Sequence, residues 1–363
     1  ALAGRNKKET WDQWYTGRFD LHPMKGLSVK GDYSWNRYST VQKFHRKEMT
    51  QTFPEGRDPY LVETPNYVRN YNSNNIYQAI NVWAEYKKSF NDVHNLSLMA
   101  GYNQEEKTYA STSYTMTDLY DNEMPISDLA INYKENEEGS DIWRVQGAFF
   151  RLNYDYRSKY LLEVNGRYDG SSKYAKHDRW AFFPSASVGW RISEEKFFKS
   201  LSKVVDNLKI RASIGALGNQ ITDGNHSFMS IISGKVLTNY MMDGKIVNGL
   251  NIPTLPSMVT WEKVITKDIG LDWSLFKNRL FGSFDFYVRD TKDMVRSVTL
   301  PAVLGTSGGK ENIADMRTVG WELEMTWKDR IQNVLGSPLD YSLTVGLSDY
   351  QAEITKYDNP NGS

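Results

Sequence analysis

Trp321-Glu322-Leu323-Glu324-Met325-Thr326-Trp327-Lys328 sets apolar residues at its odd positions and charged or hydroxylic ones at its even positions. Side chains of an extended strand point to opposite faces with period two, so this stretch reads as a strand with one greasy and one wet side. Tyr160, Leu162, Val164, Gly166 and Tyr168 fall on one face of a second such stretch, with Leu161, Glu163, Asn165, Arg167 and Asp169 on the other. The same contrast returns where Leu208, Ile210, Ala212 and Ile214 oppose Lys209, Arg211 and Ser213. Twelve strands are read in this way, at 14–21, 27–36, 76–90, 95–109, 142–156, 160–169, 181–192, 208–216, 261–276, 279–289, 319–328 and 339–348.

The connections between them switch between short and long. His22-Pro23-Met24-Lys25-Gly26, Asn91-Asp92-Val93-His94, Arg157-Ser158-Lys159 and Lys277-Asn278 are tight, and Gly, Pro, Asn and Asp in three of them supply hairpin dihedrals. The segments 37–75, 103–141, 217–260 and 290–318 are long and polar. Loops of that length are uncommon in compact soluble domains and usually carry function. Periodicity alone leaves two architectures open. In a soluble two-sheet sandwich the polar face meets bulk water; in a wide barrel it meets a lumen and the apolar face meets lipid. The alternation of loop length, the chain length and the aromatic strand ends favour an all-β, antiparallel, up-and-down transmembrane β-barrel with long extracellular loops and short periplasmic turns.

One short-side connection differs. From Ser193 to Asn207, the residues Phe197, Leu201, Val204 and Leu208 recur at helical spacing, and Ser193 can cap with Glu194 and Glu195 at the positive end of the dipole. The spacing predicts a short amphipathic helix lying against the barrel rim, with a plain loop as the alternative.

Composition agrees with a large β protein. In 363 residues, 44 basic and 44 acidic side chains cancel, so no global field draws nucleic acid, and no nucleic-acid partner is expected. Aromatics are 13% of the chain, with 23 Tyr and 11 Trp, as strands and the interfacial girdles of a membrane barrel require. The absence of Cys removes disulfides, thiolate metal sites and a cysteine nucleophile. No apolar run is long enough for a transmembrane helix, which does not bear on a barrel, whose strands need only about 9–11 residues. With Ala1 first and no signal-peptide pattern, the sequence reads as an interior piece of something longer.

The alternating residues also carry a family likeness. Phe150-Arg151-Leu152-Asn153-Tyr154, Gly166-Arg167-Tyr168-Asp169-Gly170-Ser171-Ser172-Lys173 and Phe183-Pro184-Ser185-Ala186-Ser187-Val188-Gly189-Trp190-Arg191-Ile192-Ser193-Glu194-Glu195 come first. Leu208-Lys209-Ile210-Arg211-Ala212-Ser213, Gly215-Ala216-Leu217-Gly218-Asn219-Gln220, Thr260-Trp261-Glu262-Lys263, Phe286-Tyr287-Val288-Arg289-Asp290 and Gly320-Trp321-Glu322-Leu323 follow in order. Together these resemble the SusC/RagA-type TonB-dependent transporters of the outer membrane of Bacteroidota. The resemblance implies a barrel of about 22 strands holding an N-terminal plug. It also implies a SusD-like surface lipoprotein over the mouth, energy delivered by the TonB complex through the N-terminal part, and outer-membrane lipid around the wall. Against that pattern this sequence holds about 12 strands, all of 1–363 belonging to one barrel domain, and lacks the plug and the terminal strands. It ends in the turn-rich Asp358-Asn359-Pro360-Asn361-Gly362-Ser363.

No catalytic constellation stands up, so the chain is read as no enzyme, with no cofactor and no metal. His22, His45, His94, His177 and His226 form no ligand-spaced pair. Glu163, Asp169, Asp272, Glu322 and Glu324 could serve as the carboxylates of a glycosidase, but pairing with Arg151, Arg167, Lys209 and Arg211 on the wet face is the simpler reading. Gly305-Thr306-Ser307-Gly308-Gly309 sits in a strand-to-strand connection rather than before a helix, as a phosphate loop would, and reads as a flexible loop. Ligand contact is assigned to candidates only: Tyr109, Tyr114, Tyr120, Tyr133 and Tyr240, whose rings could stack on sugar or peptide, and Asp169, against self-packing of the loops and a turn at Asp169-Gly170. Tyr156, Tyr160, Trp190 and Trp327, near the short turns, are read as an interfacial girdle. The leading functional expectation is import of a bulky nutrient, an oligosaccharide or a peptide. A secreted or surface β-sandwich that binds glycan, and an ungated porin, stay open beside it.

Overall fold

Each segment read as a strand overlaps a strand of the computed structural model. It describes residues 4–54, 56, 58–220, 222, 224–226, 228–229, 236–250, 256–301 and 308–358, with backbone alone at 62–63, 236–242, 246–250 and 334. The strands are β1 (Gly4–Met24), β2 (Leu27–Arg46), β3 (Met49–Gln51), β4 (Tyr60–Glu63), β5 (Tyr67–Phe90), β6 (His94–Leu119), β7 (Ala130–Tyr156) and β8 (Tyr160–Ser171). There follow β9 (Trp180–Arg191), β10 (Val205–Asn219), β11 (Val236–Met242), β12 (Lys245–Leu250), β13 (Glu262–Leu275), β14 (Leu280–Ser297), β15 (Lys310–Val334) and β16 (Ser337–Tyr357). Among the described residues, one 12-stranded sheet takes the order β1-β2-β5-β6-β7-β8-β9-β10-β13-β14-β15-β16, while β3-β4 and β11-β12 form separate two-stranded sheets. Strands adjacent in the large sheet are joined in chain order, as an up-and-down wall demands.

Tight turns fix the register. Asn91 (φ 52°) with Asp92 (φ 54°), Arg157 (52°) with Ser158 (55°), and Leu335 (54°) with Gly336 (88°) hold the left-handed dihedrals that match the twist of the strands they join. The resulting pairs run without offset through β7 and β8, from Tyr156 opposite Tyr160 to Val145 opposite Ser171. They do the same through β13 and β14, from Leu275 opposite Leu280 to Lys263 opposite Lys292.

Two expectations are corrected. Three of the four long connections are mostly strand: β6 continues to Leu119 and β7 resumes at Ala130, so 120–129 is all that separates them. Likewise β2 reaches Arg46 and β5 begins at Tyr67, with the β3-β4 hairpin between, and β14 reaches Ser297 before β15 begins at Lys310. Where both faces of a strand are wet, the ladder of backbone hydrogen bonds persists while the apolar–polar contrast vanishes. The predicted helix at 193–207 is also absent. Ile192–Glu194 and Lys196–Ser200 form two 3-10 turns, and Ser193 makes no cap, its Oγ lying 3.5 Å from Asn207 Oδ1 instead. Phe198, not Phe197, is the buried aromatic there.

The chain divides into two compact units, 1–19 with 31–81 and 103–144, and 20–30 with 82–102 and 145–363. The second holds a small apolar core of Tyr174, Phe183, Val259, Trp261 and Val295. Trp261 packs on Tyr174 (5.3 Å between centroids) and Phe183 (5.4 Å), and its indole N–H donates to Arg179 O at 2.9 Å. Elsewhere in that unit many apolar side chains on the strands stay bare: Val188 is 54% exposed, Ile269 61% and Leu343 63%. An apolar face left open strand after strand would be a liability in water and is what lipid contact requires.

Candidate functional site

The wet face of the second unit carries a connected row of charges. Register sets Arg211 of β10 opposite Gly270 of β13, and Gly270 opposite Asp285 of β14. Asp268 and Asp272 flank Gly270 on the same face, because side chains two apart on a strand share a side. The Arg211 guanidinium forks across this gap: Nη2 donates to Asp285 Oδ2 at 2.7 Å, Nε to Asp272 Oδ1 at 3.1 Å, and Nη1 reaches Asp268 Oδ1 at 3.4 Å. Lys209 Nζ adds a second contact to Asp272 at 3.3 Å. A planar guanidinium with five fixed donors suits such a site, and a lysine could satisfy only part of it.

Further pairs lie on β7 and β8, on the far side of β9. Arg167 grips Asp169 with two hydrogen bonds, of 3.1 and 2.8 Å, and its guanidinium lies 5.2 Å from the Phe149 ring centroid. Arg151 donates to Asn165 Oδ1, and Asn165 in turn donates to Glu163, both at 2.7 Å. Asn153, Glu163, Ser187, Lys209, Arg211 and Asp268 line a cavity of about 720 Å³ on this side of the sheet. The wet-face pairing expected from sequence is therefore found for Asp169 and Asp272, but Arg151 and Glu163 meet through Asn165. Asp268 and Asp285 escaped the sequence reading; their signal was a charge at period two around a glycine, which gains meaning only once register is known.

The aromatic candidates belong to the first unit. Tyr109 and Tyr114 lie on β6, five residues apart and so on opposite faces; they form no common stacking surface. The Tyr109 hydroxyl is 3.0 Å from that of Tyr71, within a polar patch where Arg69 Nε donates to buried Ser113 and Nη2 to Glu137, both at 2.9 Å. Tyr120, just past β6, is 86% exposed, and Tyr133 on β7 is 58% exposed. Tyr240 falls on β11, but its side chain lies outside the described residues, as do Gly305, Thr306 and Ser307. Asp169 belongs to the other unit and is committed to Arg167.

The linker from β6 to β7 is held by a reciprocal amide lattice. Asn66 accepts from Leu119 N (2.7 Å) and donates to Leu119 O (3.2 Å), while Asn122 accepts from Glu48 N (2.7 Å) and donates to Glu48 O (2.9 Å). Lys47 pairs with Glu123 at its edge. His45 is buried beside it, and burial first and the Lys47 charge next hold its imidazole below the ordinary value. It reads as a core histidine.

A family model described as TonB dependent receptor-like, beta-barrel, matches residues 2–363. The chain is 32% identical over 246 residues to "TonB-dependent receptor P39" of Formosa agariphila, covering 67% of this chain and 23% of that protein. It is 30% identical over 200 residues to "TonB-dependent receptor SusC" of Bacteroides thetaiotaomicron, covering 54% of this chain and 20% of that one. Among solved structures, that of the RagAB peptide transporter superposes with a TM-score of 0.78 at 22% identity, over 98% of this chain and 38% of that one. The chain thus spans about a quarter of the length of the curated relatives it matches.

Proposed function

Because the chain belongs to the TonB-dependent receptor β-barrel family, we propose that it forms part of the wall of an importer of the SusC/RagA type, carrying a bulky polar nutrient across the outer membrane where such barrels lie. The substrate class is an oligosaccharide or a peptide, the partners are a SusD-like surface lipoprotein and the TonB complex, and the work is translocation. One observation carries the reading: strands whose apolar face lies bare, as at Val188 and Ile269, turn clusters of paired charges and amides to the other side. That division suits a wall between lipid and an aqueous path for a polar solute. Exposed Tyr120 and Tyr133 are assigned to first contact with substrate or lid, whereas Tyr109 and Asp169 serve their local networks.

Deleting the gene in its native host and measuring uptake of labelled oligosaccharide and peptide pools tests this directly. Uptake of one pool should collapse, a strain lacking TonB should show the same loss, and the tagged protein should retain a SusD-like lipoprotein on purification. Uptake that persists without TonB would mean passive permeation, and the importer would give way to an ungated porin.

A further inference from the structure

The connection between β9 and β10 has a composition that transport does not explain. Its two 3-10 turns bury Phe198 but leave Phe197 68%, Leu201 53% and Val204 46% exposed. An exposed Phe, Leu and Val within eight residues make an apolar patch, and such patches mark an interaction surface. Lys196, Lys199 and Lys203 are interleaved with them and exposed, and none makes an ion pair among the described residues. The nearby acids are already engaged: Glu194 by Arg191 at 3.3 Å, Glu195 by Lys159 at 3.2 Å, and Asp206 by the Asn278 N–H at 2.9 Å. The segment therefore presents three uncompensated cations around bare hydrocarbon.

Its position is fixed by two anchors. Glu195 Oε1 accepts from the Tyr160 hydroxyl at 2.7 Å and the Trp190 indole N–H at 3.2 Å, bonds that hold its carboxyl below the ordinary range. Tyr160 and Trp190 are cross-strand partners on the apolar face, and Ile210 continues that row on β10. At the other end Phe276 N donates to Val204 O at 2.8 Å, joining the connection to the turn between β13 and β14. The patch is thus continuous with the lipid-facing aromatic belt and sits at its short-turn border.

We propose that residues 192–204 are an interfacial anchor that inserts Phe197 and Leu201 among the acyl chains of the periplasmic leaflet and holds anionic phospholipid headgroups with Lys196, Lys199 and Lys203. Apolar insertion and attraction to anionic headgroups add in such segments. The inference rests on the reading that short turns face the periplasm, where the leaflet is phospholipid.

Residues 1–363 contain no Cys, so Phe197→Cys in the native transporter, with any cysteine outside these residues replaced by Ser, gives a single site for a bimane label. The labelled protein goes into nanodiscs of phosphatidylethanolamine, with or without phosphatidylglycerol, and is challenged with nitroxide-bearing lipid and with aqueous iodide. Phosphatidylglycerol should shift the emission to the blue and raise lipid quenching severalfold over iodide quenching. Replacing Lys196, Lys199 and Lys203 together by Gln should abolish that dependence while heat-modifiable mobility on gels stays intact. Iodide quenching that is equal in both lipids, or a triple variant like the parent, overturns the anchor. Protection from iodide only when soluble TonB is added assigns the surface to a protein and also overturns it. Labelling of the same cysteine by an impermeant thiol reagent on intact cells would instead show that the orientation is wrong, a failure distinct from the others.

Discussion

A Cβ on Gly270 would lie 2.5 Å from Arg211 Cζ and 2.6 Å from Asp285 Oδ1, so a side chain there would have to displace the bridge that spans three strands. The absence of a side chain on β13 is what lets a cation on β10 reach a carboxylate on β14. Alternation in the sequence put Arg211 and Asp272 on the wet face, but which groups meet depends on register, and no local pattern encodes register across 60 residues of intervening chain. That is why Asp268 and Asp285 went unseen. Arg211 serves three carboxylates at once, so Arg211→Met should leave Asp268 and Asp285 facing one another without that cation, while Lys209 stays on Asp272. We expect a loss of about 1.5–3 kcal/mol, the range for hydrogen bonds to charged groups, read from the denaturation midpoint of the protein in detergent. Arg211→Lys should recover only part of it, since an ammonium lacks the fork. A midpoint unchanged in Arg211→Met would show that the bridge carries no net stability.

At the scale of elements, the sequence is informative only where the two faces of a strand meet different media. Several strand ends at the short turns were legible to within a residue, as at Tyr156, Tyr160 and Leu275, where apolar alternation runs right up to the turn, but β15 runs past the expected 328 to Val334. At the other end the alternation fades: Ser111-Thr112-Ser113 is polar on both faces and looks like loop, yet it lies within β6. The 3-10 segment failed for another reason. Its apolar spacing fits a helix, but a single short helix is marginal in water, and the bonds of Glu195 and Val204 to neighbouring turns decide its path. The tyrosines were legible as candidates, but Tyr109 and Tyr114 face opposite ways once their segment is a strand, so these two share no stacking surface. Amide hydrogen exchange distinguishes the two descriptions. Ser113, Thr115 and Thr117, buried on β6, should be protected far longer than residues 121–125 of the short linker, since paired and buried amides exchange only through opening. Equal, rapid exchange across 103–141 would restore the long loop.

For the whole molecule, the sheet order starts at β1 and ends at β16, and among the described residues each of these has a strand on one side alone. Every residue of β16, from Ser337 to Tyr357, is exposed. Unpaired N–H and C=O groups along such an edge find no partner in hydrocarbon, which is why membranes admit barrels only when closed. These twelve strands could close on themselves only with a different tilt and shear, because strand number and stagger are linked. The registers through β7 to β16, set by tight turns and by bridges such as Arg211 to Asp285, resist that change. Residues 1–363 expressed without further strands should therefore fail to insert and should aggregate through β1 and β16. Refolding them in detergent and comparing heated with unheated samples on a gel measures this, as a closed barrel migrates differently before it is boiled. A protease-resistant, heat-modifiable monomer would show that the twelve strands suffice, and the edges would then have to be each other's partners.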